Sequence, residues 1–127
     1  LRSDSVARIA IANPRLAPYG RAAREALVAL DLWQAVEHKL VRGENIAQAF
    51  QFVFTANADA GLVAQAQLAA LPGRIPGALW EVPAELHAPI HQQAVLLRES
   101  EAARAFLAFL RSETGKAIIR SAGYMTP

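Results

Sequence analysis

The sequence predicts an α/β fold with a mostly parallel sheet flanked by helices. Three observations carry this. Short apolar runs of strand character alternate with amphipathic stripes at helical spacing from Arg8 onward. Turn signals such as Asn13-Pro14 and Arg42-Gly43 separate the two kinds of segment. No internal repeat or low-complexity tract interrupts the alternation, and 127 residues at 54% apolar content suffice for one buried core.

Leu1 to Val6 is a polar lead-in carrying Arg2, Ser3, Asp4 and Ser5. The run Arg8 to Asn13 is apolar at Ile9, Ala10, Ile11 and Ala12 and stops at Asn13-Pro14, as a buried strand does. After Pro18 the spacing becomes helical. Tyr19, Ala23, Ala26, Leu27 and Leu30 share one stripe while Arg21, Arg24 and Glu25 fall between them, predicting a helix from Tyr19 to about Leu32. Its first turn leaves unpaired N–H groups and the positive end of the macrodipole over the strand end, a place suited to an oxyanion.

Trp33 to Gly43 holds a short extended piece, Glu37 to Val41, before the turn at Arg42-Gly43. Asn45 is a good N-cap and Gln48 stands three residues on, the pattern of a capping box. The stripe Ile46, Ala49, Phe50 and Val53 then predicts a second helix, Ile46 to Ala56. Asn57-Ala58-Asp59 is a turn, Ala60 to Ala64 a short buried strand, and Ala66 to Leu71 helical. Two prolines and two glycines make Pro72 to Gly77 a loop. Ala78 to Val82 and Ile90 to Leu97 read as strands limited by Pro83 and Pro89. Ser100 caps a third helix with the stripe Ala103, Phe106, Leu107 and Leu110. Ser112 to Ala122 forms a fourth, with Gly123 as its stop.

Several functions are excluded or left without support. The formal net charge is +2, and the arginines (Arg21, Arg24, Arg42, Arg74, Arg98, Arg104, Arg111, Arg120) neither cluster nor interleave with aromatics, so no nucleic-acid partner is expected. There is no cysteine, and hence no disulfide or thiolate chemistry. No apolar run approaches the ~18 residues of a membrane span. The sequence shows no signal-peptide pattern, so the signal of an exported chain would belong to a longer precursor or have been removed. His87 and His91 flank Pro89, which makes their segment extended and separates them by ~13 Å, too far for two ligands of one zinc. They and the solitary His38 read as surface histidines, so no metal ligand is assigned. Asp31, Glu37, Glu44, Asp59, Glu81 and Glu85 occur singly near element ends, and no nucleophile–base pair, P-loop or dinucleotide fingerprint is present. An enzyme is not expected.

Three stretches carry a family resemblance: IANPRLAPYGRAAREALVALDLW, RGENIAQAFQFVFTANADAGLV and FLAFLRSETGKAIIRSAGYMTP. In this order they resemble the second half of a periplasmic molybdate-binding protein, the soluble receptor of a molybdate ABC importer, and the resemblance covers nearly all of the chain. It implies a periplasmic-binding-protein-like lobe that is incomplete relative to the two-lobe family. Residues 1–93 would form the partial anion-binding second lobe, and 94–127 a hinge-crossing strand and C-terminal helices that pack on a first lobe. It also implies a periplasmic location, a membrane permease as partner, and molybdate or tungstate as ligand, with no cofactor and no metal beyond the molybdenum of the oxyanion.

In such receptors backbone N–H groups and hydroxyls hold the anion without a countercharge. Carried over by position, Tyr19 and Ile46 would each offer a main-chain N–H from the start of a helix. Some members add a tyrosine hydroxyl from the end of the next strand; here Ala64 occupies that position. The alternatives are a receptor for sulfate or phosphate, and the ligand-sensing domain of a transcriptional regulator. An α-helical stripe of Ala103, Phe106, Leu107 and Leu110 without its first lobe further predicts a homodimer through the C-terminal segment.

Overall fold

The computed structural model describes residues 1–73 and 77–126. Its centre is β1 (Ile9–Ala12), whose four residues are all completely buried. β1 is followed by α1 (Pro18–Ala29), the single-turn α2 (Trp33–Val36), β2 (Leu40–Gly43), α3 (Ile46–Phe54), β3 (Ala60–Gly61), α4 (Gln65–Ala69), α5 (Glu101–Arg111) and α6 (Glu113–Ser121). Both β2 and β3 pair with β1 in parallel, giving the order β2-β1-β3. Ile9 stands opposite Leu40 on one side and Ala60 on the other, and Ala12 stands opposite Gly43.

The alternation of β1 separates two packing layers. Ile9 packs with Leu27 of α1 and Val36 of α2, with Val6, Leu32, Trp33, Leu40 and Leu62 around them. Ala10 points the other way: a Cβ placed on Gly61 would meet the Val53 side chain of α3 and lie 3.3 Å from Ala10 Cβ. So α1 and α3 cover opposite faces. Right-handed crossovers require this when the chain moves outward to β2 and then back across β1 to β3. The small residues of β1 let α3 approach on its side, while the branched ones fill the α1 side.

The helix ends follow from local chemistry. Asn45 Oδ1 accepts from Gln48 N–H at 2.9 Å, and Gln48 Oε1 accepts from Glu44 N–H at 2.7 Å, so the reciprocal bond reaches one residue further back than a standard capping box. The Ser100 and Ser112 hydroxyls accept from Ala103 N–H and Gly115 N–H, each at 3.1 Å. Gly123 (φ 83°) ends α6: its N–H bonds Arg120 O at 3.0 Å and Tyr124 N–H bonds Ile119 O at 3.3 Å, a Schellman pair.

Several expectations need correcting, among them a second helix that ends at Phe54 instead of Ala56 and a short helix at Gln65–Ala69 instead of Ala66 to Leu71. The first helix stops at Ala29 instead of Leu32, because Asp31 turns left-handed (φ 54°) and the chain restarts as α2. The extended piece begins at Leu40, since Glu37–Lys39 winds as a 3-10 turn. The strand expected over Ala60 to Ala64 pairs only at Ala60–Gly61, although Leu62 N–H still bonds Ala10 O at 2.9 Å. Ala78 to Val82 and Ile90 to Leu97 form no strand; the chain there is irregular, with a 3-10 turn at Ala84–Leu86. Apolar residues alone do not make a strand, which needs a ladder partner. Pro83 and Pro89 remove donors, and Trp80 and Leu97 stay 64% and 92% exposed. Within the expected Pro72 to Gly77 loop, residues 74–76 lie outside the described residues.

α5 and α6 pack on each other at a corner where Gly115 sits against the Phe109 carbonyl. No residue of α5 is fully buried, and Phe106 is 59% exposed. The end of α6 meets α4, with a Cβ on Gly123 falling 2.9 Å from Ala66 Cα.

Candidate functional site

Two neighbouring strands end side by side at one edge of the sheet, and their chains leave in opposite directions. From Ala12 the chain turns at Asn13 toward α1 on one face; from Gly43 it turns at Glu44 toward α3 on the other. Asn13 N–H donates to Gly43 O at 2.7 Å and ties the two ends together. Such a switch point at the carboxyl ends of parallel strands is where open α/β sheets form crevices.

Tyr19 and Ile46 both stand at this edge. Tyr19 is the second residue of α1, behind Pro18, which has no N–H and is preset for a first helical position. The loop before it is wound by Leu16 and Ala17 N–H groups donating to Asn13 O at 3.1 and 2.9 Å, and by Arg15 N–H donating to Asn13 Oδ1 at 3.0 Å. Ile46 is the first residue of α3. Among the described residues, neither Tyr19 N–H, Gly20 N–H, Ile46 N–H nor Ala47 N–H meets an acceptor.

The electrostatics of the two turns match. α5 and α6 each carry a glutamate in the first turn, Glu101 and Glu113, where a carboxylate complements the helix dipole. α1 and α3 carry no acidic residue there. Neither positive end meets a first-turn carboxylate, and both helices follow adjacent strand ends. Bare amides and aligned dipoles can bind an anion by charge-assisted hydrogen bonds without any ionised side chain.

Two glycines hold these helices in place: Gly20, which sequence reasoning did not single out, and Gly43, which it read only as a turn signal. A Cβ on Gly20 would strike the Ala12 carbonyl oxygen and lie 2.6 Å from Asn13 C. A Cβ on Gly43 would lie 2.8 Å from Ala49 N and 3.1 Å from Asn45 O. Both helices therefore seat their first turns directly on the strand ends. The available signal was Gly20 itself, a poor helix former one residue into a helical stripe.

Ala64 is buried and extended just before α4, and offers no hydroxyl. Its N–H donates to Gln67 Oε1 at 3.2 Å, and Gln67 Nε2 donates to Ile46 O at 3.3 Å. The Tyr19 phenol is pushed above its ordinary pKa, by burial first and then by the neighbouring Tyr124, so it stays a neutral donor at physiological pH. Tyr124, from the far end of the chain, thus acts on the Tyr19 phenol, an influence the sequence did not reveal. Among the described residues, no group of three or more His, Asp or Glu side chains could hold a metal ion.

Comparison with known proteins agrees with this architecture. The chain is 43% identical over 129 aligned positions to the molybdate-binding protein ModA of Rhodobacter capsulatus, covering 99% of this chain and 50% of that protein. It is 40% identical to ModA of Azotobacter vinelandii over 98% of this chain and 50% of that protein. The solved periplasmic molybdate-binding protein of Azotobacter vinelandii superposes with a TM-score of 0.86 at 34% identity, covering 98% of this chain and 56% of that one. The chain therefore spans about half the length of the relatives it matches. These relatives are named as binding proteins, not as enzymes. Residues 1–125 match the family of bacterial extracellular solute-binding proteins, and the chain belongs to that family.

Proposed function

We propose that this chain supplies one anion-binding lobe of a periplasmic molybdate/tungstate receptor that delivers its ligand to the membrane permease of an ABC importer. The observation that carries the reading is the pair of uncompensated helix N-termini, α1 and α3, over adjacent strand ends. The names of the similar proteins supply molybdate as the ligand. In this reading Tyr19 and Ile46 donate their main-chain N–H groups to the oxyanion, the protein performs no catalysis, and molybdate is cargo, not cofactor. In a water-poor cleft of low effective permittivity, aimed dipoles are enough to hold a dianion.

In the same reading, residues 1–93 are the binding lobe and 94–127 the segment that packs on the rest of a two-lobe protein. The half-exposed apolar side of α5 supports this, since Phe106 and Phe109 stay exposed among the described residues. Isolated, the chain would bury that face by pairing with a second copy; light scattering at micromolar concentration would show a dimer, and a monomer would refute the pairing.

Calorimetric titration of the full-length receptor tests the function. Molybdate should bind, tungstate should compete strongly, and sulfate weakly, because the three carry equal charge and only cavity size separates them. Equal competition by sulfate would favour a sulfate or phosphate receptor. A helix-turn-helix in the remainder of the full-length protein would favour a regulator's sensing domain.

A further inference from the structure

Gln67 lies on α4, outside the α1 and α3 N-termini, yet its amide joins the start of its own helix to the first residue of α3. Its Oε1 accepts from Ala64 N–H at 3.2 Å while its Nε2 donates to Ile46 O at 3.3 Å. Only one orientation of the amide satisfies both partners, because a backbone N–H requires the oxygen and a carbonyl requires the nitrogen. The side chain is partly buried between these contacts, and the two residues it joins lie on separate elements, α3 and the β3–α4 connection.

α3 is otherwise held at its start by contacts local to itself: Asn45 to Gln48, Gln48 to Glu44, and the close seat of Gly43 under Ala49. None of these sets how its first turn sits relative to the next corner of the crevice. Gln67 does, gripping the carbonyl of the residue whose N–H meets no acceptor among the described residues.

We infer that Gln67 is a positioning residue for oxyanion binding, fixing the Ile46 amide through the Ile46 carbonyl. This rests on the molybdate-receptor reading of the site. The Ile46 N–H and C=O lie on the two peptide units that meet at one Cα, so a held carbonyl restrains the neighbouring N–H. Less freedom is then lost when the ligand arrives, and the gain appears as affinity rather than as a new contact. Gln67 makes no contact with the anion and is not a ligand.

The test is a double-mutant cycle in the full-length receptor. Gln67→Leu keeps the side-chain volume and removes both bonds; Gln67→Ala provides a second variant should the leucine not fold. Either should weaken molybdate binding by about tenfold, the scale of one or two hydrogen bonds. Ile46→Pro removes the Ile46 N–H but retains the carbonyl that Gln67 grips. In that background Gln67→Leu should lower the melting temperature as before, yet leave the remaining molybdate affinity unchanged. A purely structural role would give the same affinity loss in both backgrounds, and that additivity would overturn the inference. So would a Gln67→Leu receptor that binds molybdate as tightly as the wild type. Failure of the wild-type receptor to bind molybdate would instead overturn the functional reading, and with it this inference.

Discussion

Replacing Ile46 with proline isolates a single backbone donor. Ile46 is the first residue of α3, and its N–H has no acceptor among the described residues, so the helix loses no internal bond. Asn45 already holds φ −142° and ψ 175°, the extended conformation a following proline requires. α1 shows the substitution is compatible with this architecture, since it begins with Pro18. Global stability should change by only ~0.5 kcal/mol, as for a replacement that breaks no buried contact network. Binding should change much more. A hydrogen bond to a charged partner contributes ~1.5–3 kcal/mol, which at ~1.4 kcal/mol per decade is about a ten- to hundredfold loss of affinity. Calorimetry on the full-length receptor reads the affinity, and a thermal melt confirms the fold. A folded variant that binds molybdate as tightly as the wild type would remove Ile46 N–H from the site and refute the reasoning.

Two further outcomes follow from the packing and the charges. Gly20→Ala should destabilise by ~1–3 kcal/mol, because the new methyl strikes the Ala12 and Asn13 backbone and the α1 first turn must lift off the strand end; an unchanged melting temperature would show that the corner gives freely. Asp59 accepts N–H bonds from Ala7 at 2.9 Å and Arg8 at 2.8 Å, and these hold its carboxyl below the ordinary aspartate pKa. A lowered folded-state pKa means the stabilisation is complete above the ordinary value of about 4 and is lost as pH falls through the depressed one. Acid titration of stability should therefore be shallower in Asp59→Asn than in the wild type, and parallel curves would refute the assignment.

The central part of the fold was legible because its signals are local. Ile9 to Ala12 bounded by Asn13-Pro14, the Tyr19 stripe, and the Asn45–Gln48 cap each state their structure within a few residues. The strands expected at Ala78 to Val82 and Ile90 to Leu97 failed because a ladder partner is a property of the whole fold, and β2-β1-β3 does not extend to them. Tyr19 and Ile46 were named from the resemblance alone; they begin the helices that follow two adjacent strand ends. The roles of Gly20, Gly43, Gln67 and Tyr124 stayed hidden for a different reason: each acts on a residue distant in sequence or close through the backbone, and no spacing rule announces such contacts.

The central placement of β1 has a kinetic consequence. Of the three strands of this sheet it is synthesised first, yet its two partners begin at residues 40 and 60, with a helix closing each connection. Until both arrive, the run Ile9–Ala12 has open hydrogen-bonding edges and an apolar surface that ends fully buried. Parallel pairings of this separation form late, since loop closure must precede any contact that rewards it. A nascent chain would hold this segment uncovered for seconds at a synthesis rate of ~5–20 residues per second. An exported receptor kept unfolded for translocation would need the same four residues shielded along the way.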